Sequence, residues 1–528
     1  MRQTQGEHED EHEHQHEHQH GHEDEHQHGY EDEHQHGQEE EHQHQHEHAH
    51  EQAIEARFAR GVACMAAADS AGAIAAFGQV LALAPQRPEA HINLGLLLAN
   101  TDPAQAERHY RAAIDADPGR LDGYLHLGAL FAAARRFDEA EHCYRQALAL
   151  DPAWPPALSN LGVLLASTGR EAMAAACYRA AIAAAPDYQG AHFNLSYLLL
   201  RDGQFEAGWR AFEGRPWYAR FADYFAYPRW AGQPLAGASL MIAVEAGHGD
   251  MIQFCRYALL ARAQGARVGI VCHSGLKRLF GSLAGVEVFG VDDEVPRLGW
   301  DYWTPPLSMP YHFGTRLASI PARLPYLAAP AGAVTPVLPA PPAPVLLRVG
   351  LAWQGNPRFE NDAERSLAGL ATLAPLAGVA GVQFYSLQKG AGELASADGR
   401  PFSAVTGAAE GTVGMAGAGA DSSAPAIIDL APAIGDFADT AALIGQLDLV
   451  IAVDTAVAHL AGALGKPCWV LLPAYQTDWR WLKARDDSPW YPQVMRLFRQ
   501  EQAGDWSAVV EALRLALTEK VAATRARD

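Results

Sequence analysis

The chain has few cysteines, no long apolar run and no cluster of basic residues. Its six cysteines are scattered without a Cys-x-x-Cys spacing, which is typical of reduced thiols and not of a disulfide framework. No apolar run reaches membrane-spanning length, and the acidic N-terminus is unlike a signal peptide. The lack of a basic run argues against general nucleic-acid binding. We therefore expect a cytoplasmic protein with no transmembrane segment and no nucleic-acid partner.

Acidic residues and histidines are concentrated at the N-terminus. Residues 1–50 contain 16 acidic residues and one basic residue, and they hold 16 of the 25 histidines. Apolar side chains are nearly absent, so folding would not offset the ordering entropy, and we expect 1–50 to be a disordered His/Glu-rich tail. The tail is either a low-complexity repeat without a role or a weak site for a divalent metal. The histidines that we name for metal binding are His12, His14, His16, His18 and His20.

A repeat with a period of about 34 residues follows the tail. A small residue, an aromatic residue and a proline recur in each unit. The small residues are Gly61, Gly95, Gly128, Gly162 and Ser196; the aromatic residues are Phe77, Tyr110, Tyr144, Tyr178 and Phe212; the prolines are Pro85, Pro118, Pro152 and Pro186. This pattern lets paired helices pack closely and ends the second helix of each pair.

The repeat pattern resembles the tetratricopeptide repeat, and it predicts an α-solenoid over 53–222. Such a solenoid binds a protein partner in its groove or serves as a scaffold for the next domain. Its end is crowded with aromatic residues, which we interpret as a packed junction rather than as a surface that contacts an acceptor.

Strands and helices alternate after Pro234, which predicts a parallel sheet in a first lobe over 235–327. A strand over Leu240 to Glu245 leads into the turn Gly247-His248-Gly249-Asp250. Glycines there allow a close approach of the backbone to a ligand. Asp250 is either a helix cap or a base that takes a proton from an acceptor hydroxyl.

A second lobe over 345–518 follows an Ala/Pro-rich linker at 328–344, and it contains an insertion at 391–425 that we expect to be flexible. Loops after its strands carry residues suited to a diphosphate, although surface charge is the other interpretation. These residues are Asn356, Arg358, Arg365, Ser366, Gln388 and Lys389.

The segment from Leu447 to Pro473 contains the most informative pattern. The apolar run Leu449 to Val453 predicts a buried parallel strand, and Asp454, Thr455 and a short helix with His459 follow it. Strand carboxyl ends and helix N-termini in open α/β sheets bind anions. These three residues are therefore candidates for binding a phosphorylated ligand, or else they cap and pack the helix.

Four segments resemble glycosyltransferase family 9, the lipopolysaccharide heptosyltransferases. They are GHGDMIQFCRYALLARAQGARV, GLAWQGNPRFENDAERSL, FYSLQKG and DLVIAVDTAVAHLAGALGKPCWVLLP. More closely, the chain resembles bacterial proteins that join tetratricopeptide repeats to such a domain. The resemblance implies a GT-B fold, an α/β architecture of two Rossmann-like parallel-sheet lobes, with the acceptor on the first lobe and the nucleotide sugar mainly on the second.

The resemblance also implies an inverting, metal-independent transfer from a nucleotide-diphosphate sugar to a hydroxyl of a protein or glycan acceptor, with no cofactor. It assigns Asp250 as the base and places Asp454, Thr455 and His459 beside the donor diphosphate. The loops AGHGD and WQGNP depart from those of heptosyltransferases, so the heptose donor and the lipid acceptor are not carried over. The alternative hypothesis is a repeat-based interaction scaffold whose transferase domain is catalytically degenerate.

Overall fold

The computed structural model describes most of the chain after the acidic N-terminus. The described residues are 44–215, 223–330, 337–338, 346–359, 361–390, 392–393 and 427–526. Most of the expected tail, with its five named histidines, therefore lies outside the described residues. The same holds for most of the expected linker and nearly all of the expected insertion. The chain forms two compact units, residues 1–164 and 165–528.

The first unit is built from paired helices. They are α1 (44–66), α2 (Ser70–Leu83), α3 (Pro88–Leu98), α4 (Pro103–Ala116), α5 (Leu121–Ala133), α6 (Phe137–Leu150) and the first part of α7 (Pro155–Ser167). Residues 44–50 belong to α1, so the expectation that disorder extends to residue 50 is wrong. Burial of Ile54 anchors this helix, and the Glu, Gln and Ala residues before it favour its continuation towards the N-terminus.

Close packing of paired helices explains the recurring glycine. A Cβ on Gly128 would lie 2.6 Å from the ring of Tyr144, and a Cβ on Gly61 would lie 2.6 Å from the ring of Phe77. Both rings are buried. A larger residue at either glycine would push the two helices apart, as the sequence pattern predicts.

The second unit begins with three more helices of the repeat pattern, α8 (Glu171–Ala184), α9 (Gln189–Arg201) and α10 (Phe205–Phe212). Trp209 of α10 is buried, and its indole N–H donates to the carbonyl of Thr315 at 3.1 Å. Its ring meets Trp479 edge-on at a centroid distance of 5.1 Å. Aromatic residues of the last repeat therefore lie in the core of this unit, whereas 216–222 of the expected junction lie outside the described residues.

Two parallel sheets form the rest of the second unit. The strands of the first sheet are β1 (Ser239–Ile242), β2 (Arg267–Cys272), β3 (Val286–Gly290) and β4 (Tyr302–Thr304). Those of the second are β5 (Leu347–Ala352), β6 (Val382–Ser386), β7 (Ile428–Asp429), β8 (Leu449–Val453), β9 (Cys468–Leu472) and β10 (Met495–Arg499). The sheet orders are β3-β2-β1-β4 and β10-β9-β8-β5-β6-β7, and every neighbouring pair is parallel.

Short helices connect these strands, and a longer one follows the last strand. They are α11 (His248–Phe254), α12 (Arg256–Ala263), α13 (Lys277–Phe280), α14 (Met309–His312), α15 (Asp362–Arg365), α16 (Phe437–Gly445), α17 (Ala456–Ala463) and α18 (Ser507–Arg525). The segment Leu370–Gly378 is a 3₁₀-helix that includes Pro375. In the described part of the chain, no helix combines the length and the apolar character that crossing a bilayer requires.

Strand β8 is covered on both faces, as its apolar run predicts. Val450 and Ala452 belong to one hydrophobic cluster, and Leu449, Ile451 and Val453 belong to another. The second sheet has the strand order of a doubly wound Rossmann fold, in which the first and fourth strands are adjacent at the centre. This order places the carboxyl ends of β5 and β8 side by side.

Strand β1 ends at Ile242, three residues before the predicted end at Glu245. The Glu245 carboxylate accepts hydrogen bonds from the Arg215 guanidinium at 2.7 Å and from the N–H of Leu307 at 3.2 Å. This buried ion pair holds the start of the turn that carries Asp250.

Candidate active site

The carboxyl ends of β5 and β8 form the edge at which a doubly wound sheet binds ligands. The connections leave these adjacent strands in opposite directions, which opens a crevice between them. Trp353 follows β5 and Asp454 follows β8. In the first sheet, β1 and β4 have the same relation, and β1 leads to Asp250.

The turn after β1 holds Asp250 in the first turn of α11 and brings this helix against α17. Asp250 Oδ2 accepts a hydrogen bond from the N–H of Gly247 at 2.8 Å. A Cβ on Gly249 would lie 2.9 Å from Cδ2 of His459 and 3.5 Å from Cα of Ala456. The N-terminal ends of α11 and α17 therefore meet, and the structure brings Asp250 and the Asp454–His459 segment to one place.

His459 lies one turn into α17 and has an uncharged ring. Its Nδ1 is 2.9 Å from the hydroxyl oxygen of Tyr491, and its ring stacks on Trp481 at a centroid distance of 5.3 Å. Burial, with a smaller contribution from nearby arginines, lowers the pKa of His459 well below its ordinary value. The imidazole is therefore neutral at physiological pH.

Thr455 offers an unused hydroxyl at the N-terminus of α17. It is the N-cap residue, but its side chain makes no capping hydrogen bond. Its Oγ1 is buried and has no hydrogen-bond partner among the described residues. An anionic ligand at this point would meet that hydroxyl and the free N–H groups of the first helical turn.

Asp454 is a buried carboxyl with a raised pKa. Burial is the largest cause, the charge of Asp478 adds to it, and together they raise the pKa of Asp454 to about 6. The charges of Arg365 and Arg480 act in the opposite direction. Because its pKa is raised, this carboxyl takes up a proton readily, and in its protonated form it does not repel an anion that binds beside it.

Arg480 is a central residue that sequence reasoning missed. It forms an ion pair with Asp250 and a second one with Asp478 at 2.8 Å. Its guanidinium lies over the ring of Trp479 at 4.7 Å. The only available signal was that the Thr477-Asp478-Trp479-Arg480-Trp481 loop follows β9, whose carboxyl end lies at the same edge of the sheet as that of β8.

Gln388 and Ser366 shape the loop after β5. Gln388 is buried, and its Oε1 accepts hydrogen bonds from the N–H groups of Trp353 at 2.9 Å and Gln354 at 3.0 Å. The Ser366 hydroxyl accepts from the N–H of Gly355 at 2.8 Å. Both side chains are therefore engaged with the backbone, and any contact with a donor stays a prediction.

Of the remaining donor-side residues, Arg365 is the one whose charge acts on Asp454 and His459. Its Nε donates to Asp362 at 3.1 Å, and the arginine side chain is 16% exposed. Asn356 and Arg358 are exposed and interact with each other, with the N–H of Arg358 donating to the Asn356 side chain at 3.1 Å. Lys389 donates to a backbone carbonyl at 3.0 Å. These local contacts leave a diphosphate-binding role for Asn356, Arg358 and Lys389 as a prediction.

The fold and the site define a protein with helical repeats followed by a two-lobed α/β part that has an anion-suited crevice. Family models match segments of both parts. Tetratricopeptide repeat models match residues 58–120, 97–163 and 155–188. The model of glycosyltransferase family 9 (heptosyltransferase) matches residues 407–476, a segment that contains Asp454, Thr455 and His459. The predicted resemblance and fold class, a repeat solenoid followed by parallel-sheet lobes, are confirmed.

A curated bacterial relative matches a large part of the chain. Protein FlbA of Caulobacter vibrioides is 28% identical over 346 residues, which cover 60% of this chain and 52% of FlbA. The chain therefore spans about half the length of this relative.

Solved structures match about 30% of the chain. The crystal structure of MamA is 22% identical with a TM-score of 0.26, and the match covers 29% of this chain and 91% of MamA. A thermophilic tetratricopeptide repeat protein from Thermus thermophilus is also 22% identical with a TM-score of 0.29, covering 32% of this chain and 97% of that protein. TM-scores this low support no argument about function.

Proposed function

We propose that the protein is an inverting glycosyltransferase that moves a sugar from a nucleoside-diphosphate sugar to a hydroxyl acceptor. The observation that carries the proposal is the meeting of Asp250 with the Asp454–His459 segment, each at the carboxyl end of a central strand of its own parallel sheet. The match of 407–476 to glycosyltransferase family 9 supports it.

In this proposal Asp250 is the catalytic base. It takes the proton of the acceptor hydroxyl while the hydroxyl oxygen attacks the anomeric carbon. The bond from that carbon to the diphosphate oxygen breaks as the new bond forms on the opposite face, so the configuration inverts. The N–H groups of α17, the Thr455 hydroxyl and the Arg365 guanidinium stabilise the charge that develops on the departing diphosphate, without a metal ion.

A second candidate is an interaction scaffold with a degenerate transferase domain, and one observation favours it. Both carboxylate oxygens of Asp250 are already engaged, Oδ1 by Arg480 and Oδ2 by Gly247. An acceptor hydroxyl would have to share these oxygens with Arg480 and Gly247, unless Arg480 is displaced.

The repeats and the location complete the proposal. We propose that the repeats recruit a protein acceptor or a protein partner, which the matches to tetratricopeptide repeat models support. We also propose a cytoplasmic location, because all six cysteines are free thiols.

A screen for donor binding tests the function. UDP-, GDP-, ADP- and CMP-sugars are added to the full chain, and unfolding is followed by tryptophan fluorescence, since eleven of the 12 tryptophans lie in 165–528. A donor at 100 times its dissociation constant should stabilise the second unit by about 2.7 kcal/mol. Release of the nucleoside diphosphate is then measured with the donor that binds, in the presence of EDTA to remove metal ions. We expect turnover to persist, because the proposed transfer needs no metal.

Two variants separate the enzyme from the scaffold. Asp250→Asn should retain donor binding and slow hydrolysis of the donor by about 10²-fold or more, because the base is lost. Asp487→Asn, which changes an exposed carboxylate paired with Arg485, should leave both unchanged. Absence of a shift with every donor would contradict the proposal, and so would hydrolysis that Asp250→Asn leaves intact.

A further inference from the structure

Arg480 links the two lobes of the second unit. It belongs to the loop after β9 of the second sheet, whereas its partner Asp250 lies after β1 of the first sheet. Arg480 is 9% exposed. Removing one partner of such a buried ion pair destabilises the protein, because the other charge stays buried without a partner.

Arg480 also has an unused hydrogen-bond donor. Its Nη2 donates to Asp250 and its Nη1 donates to Asp478. Its Nε–H is also buried, but it has no hydrogen-bond partner among the described residues. Buried donors in native proteins are normally satisfied, so this N–H points to an acceptor that arrives with a ligand. The aromatic rings of Trp479 and Phe254, at 4.7 and 5.7 Å from the guanidinium carbon, hold the side chain in place.

The surroundings of Arg480 coincide with the candidate donor site. Its charge acts on both Asp454 and His459, and the next residue, Trp481, stacks on the His459 ring. An arginine guanidinium offers several donors in one plane, which suits two phosphate oxygens better than a single carboxylate oxygen.

We propose that Arg480 is a donor-binding residue that exchanges Asp250 for the diphosphate of the incoming nucleotide sugar. Before the donor binds, Arg480 is paired with Asp250 and occupies its Oδ1. The doubly charged diphosphate then competes for the guanidinium, and Asp250 is released to face the acceptor. The proposal rests on the proposed function, and it explains how Asp250, which is paired with Arg480 in this structure, becomes free to act as the base in the donor complex.

A double-mutant cycle on the full chain tests this exchange. UDP, GDP, ADP and CDP are titrated by calorimetry into wild type, Asp250→Asn, Arg480→Gln and the double variant. Asp250→Asn should bind the nucleoside diphosphate more tightly, by about three- to tenfold, because no carboxylate has to be displaced. Arg480→Gln should bind about tenfold or more weakly, because a charge-assisted contact is lost. In the Arg480→Gln background, Asp250→Asn should have no effect on affinity.

Matched controls come from a surface ion pair in the same region, Arg485 and Asp487, whose closest atoms are 2.7 Å apart. Arg485→Gln and Asp487→Asn should leave the affinity unchanged. Arg480→Lys, which keeps the charge of the side chain, serves if Arg480→Gln does not fold, and it should bind less tightly than wild type.

The outcomes separate the exchange from the proposed function. Wild type that binds a nucleoside diphosphate while Asp250→Asn binds equally or more weakly would overturn the exchange and leave the transferase proposal standing. If Arg480→Gln and Arg480→Lys both bind the nucleoside diphosphate as tightly as wild type, the exchange is also overturned and the transferase proposal stands. Wild type that binds none of the four nucleotides overturns both proposals.

Discussion

Asp454 ends β8 with a carboxyl group that is buried and lies close to a second acid. Burial and the charge of Asp478 raise the pKa of Asp454 to about 6, above the ordinary value of 3.8. Such a group opposes folding at neutral pH, because the folded state holds the charge less well than the unfolded chain does. A residue kept at this cost to stability is typical of a binding or catalytic site.

Replacement of Asp454 by asparagine should therefore stabilise the protein at neutral pH. Below pH 3.8 the carboxyl is protonated in both states, and it contributes nothing to the pH dependence. Between pH 3.8 and about 6 only the folded state keeps the proton, so wild-type stability falls as pH rises, and above pH 6 the full cost is present. We expect Asp454→Asn to be about 1–3 kcal/mol more stable than wild type at pH 8 and equal to it near pH 4.

The measurement is urea unfolding followed by tryptophan fluorescence at several pH values. The control is Asp487→Asn, because Arg485 lowers the pKa of Asp487 and the asparagine should bring no stabilisation at any pH. A constant difference between wild type and Asp454→Asn from pH 4 to 8 would show that titration of Asp454 is not its cause.

Individual site residues differ in how far the sequence predicts their position. Asp454, Thr455 and His459 could be placed because they follow a wholly apolar strand, and such strands end at a common edge of a parallel sheet. Arg480 could not be placed, since its partner Asp250 is 230 positions away in the chain. A pairing at that distance depends on how two loops fold, which leaves no local pattern.

At the scale of elements, α11 and α17 approach each other closely at Gly249. The ring of His459 is fixed by Tyr491 and Trp481, so it has little freedom to make room for a methyl group at Gly249. Gly249→Ala should therefore separate the two helix ends. We expect a loss of stability of about 1–3 kcal/mol and hydrolysis of the donor slowed by about tenfold or more, because Asp250 is misplaced.

Urea unfolding and donor hydrolysis measure these two effects. The control is Gly445→Ala at the end of α16, where a Cβ would meet no heavy atom within 4 Å. Its stability should stay within about 1 kcal/mol of wild type. If Gly249→Ala left stability and donor hydrolysis as little changed as Gly445→Ala does, the close approach of α11 and α17 would not be needed for activity.

The regular elements were largely predictable because each leaves a periodic pattern. The 34-residue period marks the helices, and apolar runs such as Leu449 to Val453 mark the buried strands. Element ends were less predictable, because tertiary contacts decide them. Glu245, which pairs with Arg215, lies beyond the end of β1, and 44–50 continue the helix of the buried Ile54 although composition alone favoured disorder.

At the scale of the whole molecule, the last repeat helices share a core with the α/β lobes. Leu200, Phe205 and Trp209 belong to the same hydrophobic cluster as Phe254 and Trp479. The repeat period continues through α10 without interruption, so the sequence suggests one solenoid up to that point. The shared core is set by side chains from distant segments, which is why composition did not reveal a unit boundary at 164/165.

The helices α9 and α10 should therefore open together with the α/β lobes and not with the first unit. Besides the shared core, Lys483 of the second lobe forms ion pairs with Glu171 of α8 and, at 2.7 Å, with Asp202 after α9. Native-state hydrogen exchange measured by mass spectrometry should give peptides from α9 and α10 the same opening free energy as peptides from β8. A nucleoside diphosphate at 100 times its dissociation constant should raise that free energy by about 2.7 kcal/mol in both and leave α2 to α5 unchanged. Exchange of α9 and α10 at the rate of α2 to α5, with no response to the nucleotide, would place these helices with the first unit and contradict the shared core.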